Sequence, residues 1–195
     1  MHKVIGPSID FKGIEDTFKQ LNVYDNLPEH KKEHIKDTPK RIVKAWMEYT
    51  KKIGKHPDNP TLFTARSNQM VTYCNMEFSS MCSHHFFPFS GICHVAYIPN
   101  KHIVGISKIP RTVEFYSRQP QVQEELCQEV CDFLFEKINP IFVLVFMSAT
   151  HSCCKDRGAR SNGLMKTTAI RSILGLDPNT FRSYKQEAFD TFDMK

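Results

Sequence analysis

One thiol and two imidazoles are crowded into four consecutive residues of this sequence, the run CSHH at 82–85. Zinc prefers Cys sulfur and His nitrogen, and a catalytic zinc takes three protein ligands and leaves one position for water. We therefore interpret the run as half of a metal site that needs one further ligand. Because residues three apart on a straight strand point to opposite faces, the backbone must bend here. Pro88 and Gly91 just beyond are residue types typical of a turn.

The missing ligand is expected in a second cluster, HSCC at 151–154. It follows the apolar run IFVLVFMSA, which is typical of a buried strand. His151 and Cys153 would share a face of that strand if it continued, and Cys154 would point the other way. We predict Cys153 as the ligand and His151 as a neighbour in the same pocket. Alternatively, these residues are ordinary core and surface positions, since Cys is often buried. Two such clusters in one chain favour the metal site.

Three basic residues could bind a polyphosphate. Lys108 and Arg111 lie three apart at the start of a predicted helix, where backbone amides and the helix dipole favour anions. Arg157 follows the second Cys/His cluster. The alternative is a solvated basic surface, which is the usual role of a single Lys or Arg.

An acidic pair, Glu124 and Glu125, lies in the first turn of the next predicted helix. A carboxylate there either stabilises the helix dipole at the surface or accepts hydrogen bonds from a ligand. The pattern alone does not distinguish Glu124 from Glu125.

The chain has 195 residues, of which 41% are hydrophobic and 24% are charged. These values predict an ordinary globular protein with one main domain. No apolar stretch has the length of a membrane span, and the N-terminus lacks the apolar core of a signal peptide, so we expect a cytoplasmic protein without a membrane partner. Seven cysteines then favour reduced thiols and metal ligation over disulfides. The net charge of +5 is too mild to indicate a nucleic-acid partner, but it suits a small anionic substrate.

Hydrophobic periodicity predicts an α+β fold. The predicted order is two helices, two strands, two helices and two strands, and strand pairs joined by short turns favour an antiparallel sheet. The predicted helices start at Asp10, at the Asp37-Thr38-Pro39 capping signal, at Ser107 and near Gln121 behind Pro120. The predicted strands cover 70–80, 92–98, a run from 141, and 164–173.

A polar loop rich in Pro and Gly at 51–60 is the best candidate for a boundary. We therefore divide the chain into an N-terminal helical segment at 1–60 and a sheet-containing domain at 61–176. The remaining residues, 177–195, are interpreted as a polar C-terminal tail without a readable motif.

Three stretches of the chain resemble GTP cyclohydrolase I: FSSMCSHHFFPFSGICHVAYIP, VGISKIPRTVEFYSRQPQVQEEL and ATHSCCKDRGAR. The resemblance extends from about Asp37 to about Ser172. It implies a tunnelling fold, in which an antiparallel four-stranded sheet is backed by two helices. It also implies a homo-oligomeric ring, usually a decamer of two pentamers, with active sites shared between neighbouring chains.

The resemblance also implies roles for individual residues at the metal. The implied zinc ligands are Cys82, His85 and Cys153. The implied catalytic residues are His84 and His151, which act as acid and base, together with Ser107.

Substrate recognition is implied in the same way. The resemblance assigns reading of the guanine to Glu124, and not to Glu125, and it places Gln123 in the lining of the same pocket. The implied triphosphate-binding positions are Ser107, Lys108, Arg111, Arg157 and Arg41.

Two departures from the family pattern stand out. The family usually has Glu where this chain has Ser83, so we expect altered hydrogen bonding around the metal without loss of zinc. The usual Arg-Arg-Pro-Gln reads RQPQ at 118–121 here, which leaves the implied substrate contacts intact.

The resemblance implies a zinc enzyme that converts GTP and water to 7,8-dihydroneopterin triphosphate and formate, for pterin, folate or deazaguanine synthesis. One alternative is a tunnelling-fold relative that acts on another purine or pterin. Another is a non-catalytic, zinc-stabilised assembly module. Two additional histidines beside the metal argue against the second alternative, because a structural zinc site is closed by four ligands.

Overall fold

The computed structural model describes residues 11–192, so the predicted helix start at Asp10 lies outside the described residues. The chain forms two compact units, one ending at Glu48 and the other beginning at Tyr49. This division falls earlier than the boundary expected near residue 60. No helix within 11–192 is both long and apolar enough to cross a membrane.

The first unit is helical, as predicted, but it contains one helix more than expected. Its helices are α1 (Lys12–Gln20), α2 (Glu29–Ile35) and α3 (Thr38–Thr50), the last of which continues into the second unit. α3 begins at the predicted capping signal, and the Arg41 N–H donates to the Asp37 carbonyl oxygen at 3.1 Å. α2 was missed because its sequence, EHKKEHI, has a single apolar residue and therefore no stripe.

A five-stranded sheet forms the centre of the second unit, with strand order β5-β2-β3-β6-β7. The long strands β2, β3, β6 and β7 pair antiparallel with one another in this order. They cover Val71–Cys82, Pro88–Ile98, Phe142–His151 and Met165–Ser172. A separate small sheet pairs β1 (Leu62–Thr64) with β4 (His102–Val104).

The fifth strand corrects two expectations. We expected four strands and a helix starting behind Pro120, but β5 (Pro120–Gln121) pairs in parallel with the end of β2 instead. Pro lacks a backbone N–H and is tolerated at a sheet edge, where that donor is not needed. The helix therefore starts later, at Gln123.

Two helices cover one face of the sheet, as the resemblance implied. They are α4 (Lys108–Ser117) and α5 (Gln123–Ile138). From α5, Leu126, Val130 and Leu134 are at most 1% exposed and belong to the main core cluster. These apolar residues recur at helical spacing, so their burial holds the start of α5 in a fixed position.

The opposite face of the sheet carries a helix that the sequence analysis missed. The sequence pattern predicts a polar tail at 177–195, but α7 (Pro178–Thr191) packs Ala188 against a second apolar cluster that includes Leu144. The sequence does contain a helix start signal, the capping residue Asp177 followed by Pro178. In the structure the Asp177 carboxylate accepts a hydrogen bond from the Thr180 N–H at 2.9 Å. That bond lowers the pKa of Asp177.

Gly91 has a different role from the one expected. It is an interior residue of β3 and not part of a turn, and it faces Ala149 on β6. A Cβ added at Gly91 would lie 1.9 Å from the Ser148 carbonyl oxygen and 2.6 Å from the Ala149 Cα. Only glycine allows the two backbones to approach this closely.

We expect Gly91→Ala to destabilise the fold, because the clash involves backbone and no side chain can rotate away. The free energy of unfolding, measured in urea, should fall by about 1–3 kcal/mol, the usual cost of overpacking. Gly163→Ala is the control, since its nearest neighbour is the Ser161 Oγ at 3.5 Å and its φ is not positive. Its effect should stay within about 0.5 kcal/mol. Equal effects of the two substitutions would contradict this account.

Candidate metal centre

The two Cys/His clusters meet because two strand ends lie at one edge of the sheet. β2 and β6 both run antiparallel to β3, so they run in the same direction as each other. β2 ends at Cys82 and β6 ends at His151, on either side of the first residues of β3. Met81 faces Pro88, and Phe89 faces His151.

The predicted bend after Cys82 is present, but Phe86 produces it. The Phe86 N–H donates to the Cys82 carbonyl oxygen, and the Cys82 N–H donates to the Phe87 carbonyl oxygen, both at 2.9 Å. Phe86 has φ 54°, in the left-handed region that residues other than Gly rarely adopt. The turn folds His85 back towards Cys82.

The structure brings Cys82, His85 and Cys153 together. Their ligand atoms all lie within 4.8 Å of one another, and the two sulfurs are 3.9 Å apart. The expectation that β6 continues through Cys153 is wrong, because the strand ends at His151 and Ser152–Lys155 form the short helix α6. Cys153 joins the group from this helical turn, and Cys154 is exposed and outside it.

The donor set fits a metal ion. Two sulfurs and one imidazole nitrogen are ligands that zinc prefers, and three of them leave a position open. Burial raises the pKa of the Cys153 thiol, and the nearby Cys82 sulfur raises it further. Two thiolates this close repel each other, and a divalent cation between them would offset that repulsion.

His84 lies beside the group without belonging to it. Its Nδ1 is 3.7 Å from the Cys82 Sγ, and its side chain is exposed. This position leaves the imidazole open to solvent at the rim of the group.

His151 is half-buried. Its ring stacks on Phe89 with centroids 4.5 Å apart and planes at 2°. Burial lowers the pKa of His151, and the negative charge of Glu124 acts in the opposite direction. Glu124 is therefore close enough to His151 for its charge to be felt. Phe89 was missed by the sequence analysis because no motif signals a stacking partner across a strand pair.

Gln123, which the resemblance places in the pocket lining, is fully buried. Its Oε1 lies 2.9 Å from the His151 Nε2, and its amide nitrogen donates to the Met147 and Met165 carbonyl oxygens. All of its hydrogen-bonding groups are thus occupied within the protein.

The expected phosphate-binding residues lie at several places. Lys108 and Arg111 line a cleft of about 310 Å³ together with Lys51 and Lys52. The Lys52 ammonium lies 4.8 Å from the centre of the Phe115 ring. The sequence pattern predicts only a loop at these two lysines, although their adjacency is visible in it.

The other three candidates are exposed. Ser107 precedes the first residue of α4, and Arg157 lies in the loop after α6. Arg41 belongs to the first unit, where it donates to the His34 carbonyl oxygen at 3.1 Å.

Ser83, where the family usually has Glu, is exposed in the turn after β2. Its N–H donates to the Gln121 carbonyl oxygen at 3.1 Å. This contact uses only backbone atoms, so the turn does not depend on the side chain at this position.

Comparisons with known proteins agree with the three motifs. The sequence profile of the family described as GTP cyclohydrolase I matches residues 16–188. A curated protein from Campylobacter jejuni, named GTP cyclohydrolase 1, is 41% identical over 168 residues, which cover 83% of this chain and 87% of that protein. A protein of the same name from Fusobacterium nucleatum is 37% identical over 175 residues, covering 88% and 92%.

One solved structure shows a remote likeness. It is titled as the archaeosine synthase QueF-Like in the apo form, and it aligns at TM-score 0.44 with 17% identity. The alignment covers 60% of this chain and 99% of that chain. A likeness this remote does not bear on the fold.

We expect Cys153→Ser to lose bound metal, because it removes one of three ligand atoms. The loss of affinity should exceed the about 10- to 100-fold that removing a supporting group typically costs. The neighbouring substitution Cys154→Ser is the matched control and should keep the metal. Elemental analysis after dialysis against a weak chelator measures both. Metal loss in Cys154→Ser alone would show that the grouping is wrong.

Proposed function

The chain belongs to the GTP cyclohydrolase I family, and we propose that it converts GTP and water to 7,8-dihydroneopterin triphosphate and formate. The observation that carries this proposal is the group Cys82, His85 and Cys153 within 4.8 Å, with two further histidines beside it. Three ligands with acid-base groups nearby are typical of a hydrolytic site, whereas a structural zinc site is closed by four.

We assign zinc to this group, held by Cys82, His85 and Cys153. When bound, zinc acts as a Lewis acid and makes an activated water available at neutral pH. Both cysteines must be present as thiolates to bind it. They must therefore not be oxidised to a disulfide, and because the cytosol keeps thiols reduced, we place the protein in the cytoplasm.

His84 and His151 act as the acid-base pair. Histidine suits this task because its unperturbed pKa lies near neutrality. Burial lowers the pKa of His151, so the neutral ring that can accept a proton predominates at pH 7. His84, exposed at the rim, can exchange protons with solvent. We assign proton transfer during purine ring opening and formate release to these two residues.

Glu124 recognises the guanine. A carboxylate accepts hydrogen bonds from both the N1–H and the exocyclic amine of guanine, and adenine lacks that pair of donors. The electrostatic influence of Glu124 on His151 supports its position near the reacting ring. Glu125, one residue further along α5, shows no such influence.

The triphosphate binds to the basic residues. Lys108 and Arg111 line one cleft at the start of α4, where the positive end of the helix dipole also favours anions. Ser107 precedes them, and we assign it a supporting role at the same phosphates. Arg157 and Arg41 complete the set, with Arg41 supplied by a neighbouring chain.

The catalytic domain, 61–176, assembles with copies of itself, and we propose a decamer of two pentamers. The two edges of the five-stranded sheet support assembly, because both have strand segments without a partner strand in the described part of the chain. In the described part of the chain, β7 pairs only with β6, and β2 pairs with β5 only at Met81 and Cys82. Unpaired strand edges are suited to pairing with another chain.

The proposed reaction is tested by incubating the purified, zinc-loaded protein with GTP. Oxidation of the product should give a fluorescent neopterin derivative, and formate should appear in equal amount. ATP serves as the control nucleotide and should give neither product. Formate without a pterin would indicate a relative that opens the ring and stops, and the absence of both products would contradict the proposal.

We expect Glu124→Gln to weaken the use of GTP far more than Glu125→Gln does. The substitution replaces one accepting oxygen by a donor, which faces a donor of guanine. Hydrogen bonds to charged groups contribute about 1.5–3 kcal/mol, so kcat/KM should fall roughly 10- to 100-fold. Steady-state kinetics with the two variants side by side make the comparison. Equal, small effects would show that Glu124 is a surface residue.

Sharing of the site between chains predicts complementation. Arg41→Ala and His151→Ala should each be inactive alone, and mixed oligomers should recover part of the activity. Recovery is expected because some pockets then combine an intact Arg41 from one chain with an intact His151 from another. Subunit exchange is verified with two differently labelled chains. Lack of recovery after verified exchange would show that each chain builds its own site.

A further inference from the structure

The amide of Gln123 has a fixed orientation. Its nitrogen lies 3.2 Å from the Met147 carbonyl oxygen and 3.0 Å from the Met165 carbonyl oxygen. Carbonyl oxygens only accept hydrogen bonds, so the NH₂ group of Gln123 must face them. The Thr167 Oγ1 lies 3.1 Å from the same nitrogen.

This orientation determines which nitrogen of His151 carries hydrogen. With the NH₂ group committed, the Oε1 of Gln123 faces the Nε2 of His151 at 2.9 Å. An amide oxygen has no hydrogen to donate, so the Nε2 must supply it. In the neutral ring, the Nδ1 then keeps its lone pair.

The plane of the His151 ring is fixed as well. The ring stacks on Phe89 at a centroid distance of 4.5 Å with almost parallel planes. Phe89 is fixed in turn, since it is 1% exposed and faces His151 across the β3–β6 pair. The stacking sets the plane of the ring, and Gln123 sets its direction within that plane.

We propose that Gln123 is a positioning residue that holds His151 in the tautomer protonated at Nε2. The Nδ1 is then the atom that transfers protons. It accepts a proton from an attacking water or a substrate hydroxyl, and it returns that proton to a leaving nitrogen or oxygen. The Nε2–H bond to Gln123 stays intact throughout, so the ring need not rotate between the two transfers.

This assignment differs from a substrate-lining role. Gln123 is 0% exposed, and every polar atom of its amide already has a partner. A contact with the substrate would require breaking one of these buried bonds and leaving a polar group unpaired in the interior. The role in proton transfer rests on the proposed function, but the tautomer itself does not.

The tautomer is tested first on the unaltered protein. Chains labelled with ¹⁵N-histidine are studied by solid-state NMR, which reports which ring nitrogen carries hydrogen. The His151 signals are assigned by their loss in His151→Asn. We expect a hydrogen on Nε2 and a bare Nδ1 in the neutral ring. A neutral ring with its hydrogen on Nδ1 would overturn the proposal.

A variant tests the consequence for catalysis. Gln123→Met keeps the volume and removes the acceptor, so His151 should populate both tautomers and lose its fixed direction within the ring plane. We expect kcat to fall roughly 100-fold, the cost of a misplaced group, with KM for GTP nearly unchanged. Gln128→Met is the matched control on the same helix, where the amide contacts Asp132, and it should keep full activity. A raised KM with unchanged kcat would show instead that Gln123 binds substrate.

The NMR measurement and the kinetic measurement distinguish failure of the positioning role from failure of the proposed function. If Gln123→Met does not fold, the tautomer of the unaltered protein still decides the positioning claim. If the unaltered protein does not turn over GTP, the proposed function fails. The NMR spectrum then still shows whether Gln123 orients His151.

Discussion

The register of β3 against its two neighbours is the constraint on which the candidate site depends. Met81 faces Pro88 on one side, and Phe89 faces His151 on the other. A slip of one residue would send every side chain of a strand to the opposite face and would separate Phe89 from His151. The close approach of Gly91 to β6 stabilises this register, since a side chain there would force the strands apart.

A second constraint links the helix layer to the ligand turn. Gln121 of β5 faces Cys82, and its carbonyl oxygen accepts the hydrogen bond from Ser83. Two residues later α5 begins, and the buried Gln123 bonds the backbone of β6 and of β7. The first turn of α5 is thus held on two sides. The negative charge of Glu124, in this first turn, acts on His151 by raising its pKa, against the larger effect of burial.

Regular periodicity made the four long strands and the helices α4 and α5 predictable, and residue type alone identified both Cys/His clusters. Features that depend on tertiary contact were not predictable. A two-residue strand such as β5 has no period, and the left-handed Phe86 follows from closure of its turn and not from its residue type. Cys153 was predicted from a strand continuing through it, although β6 ends at His151 and Cys153 lies in α6. α7 had a readable start at Asp177, but its apolar residues are diluted by polar ones.

Ser83 and Gln123 lie near the same centre but differ in their tolerance to change. The turn at Ser83 is held by its backbone N–H, and the side chain is exposed, so the usual Glu can be replaced without loosening the ligand turn. Gln123 works through its side chain, which is buried and bonded at both ends. Any other residue there would leave carbonyl oxygens or the His151 N–H unpaired in a low-dielectric interior, where each unpaired group costs the most. The departure at Ser83 is therefore compatible with an intact site, whereas a departure at Gln123 would not be.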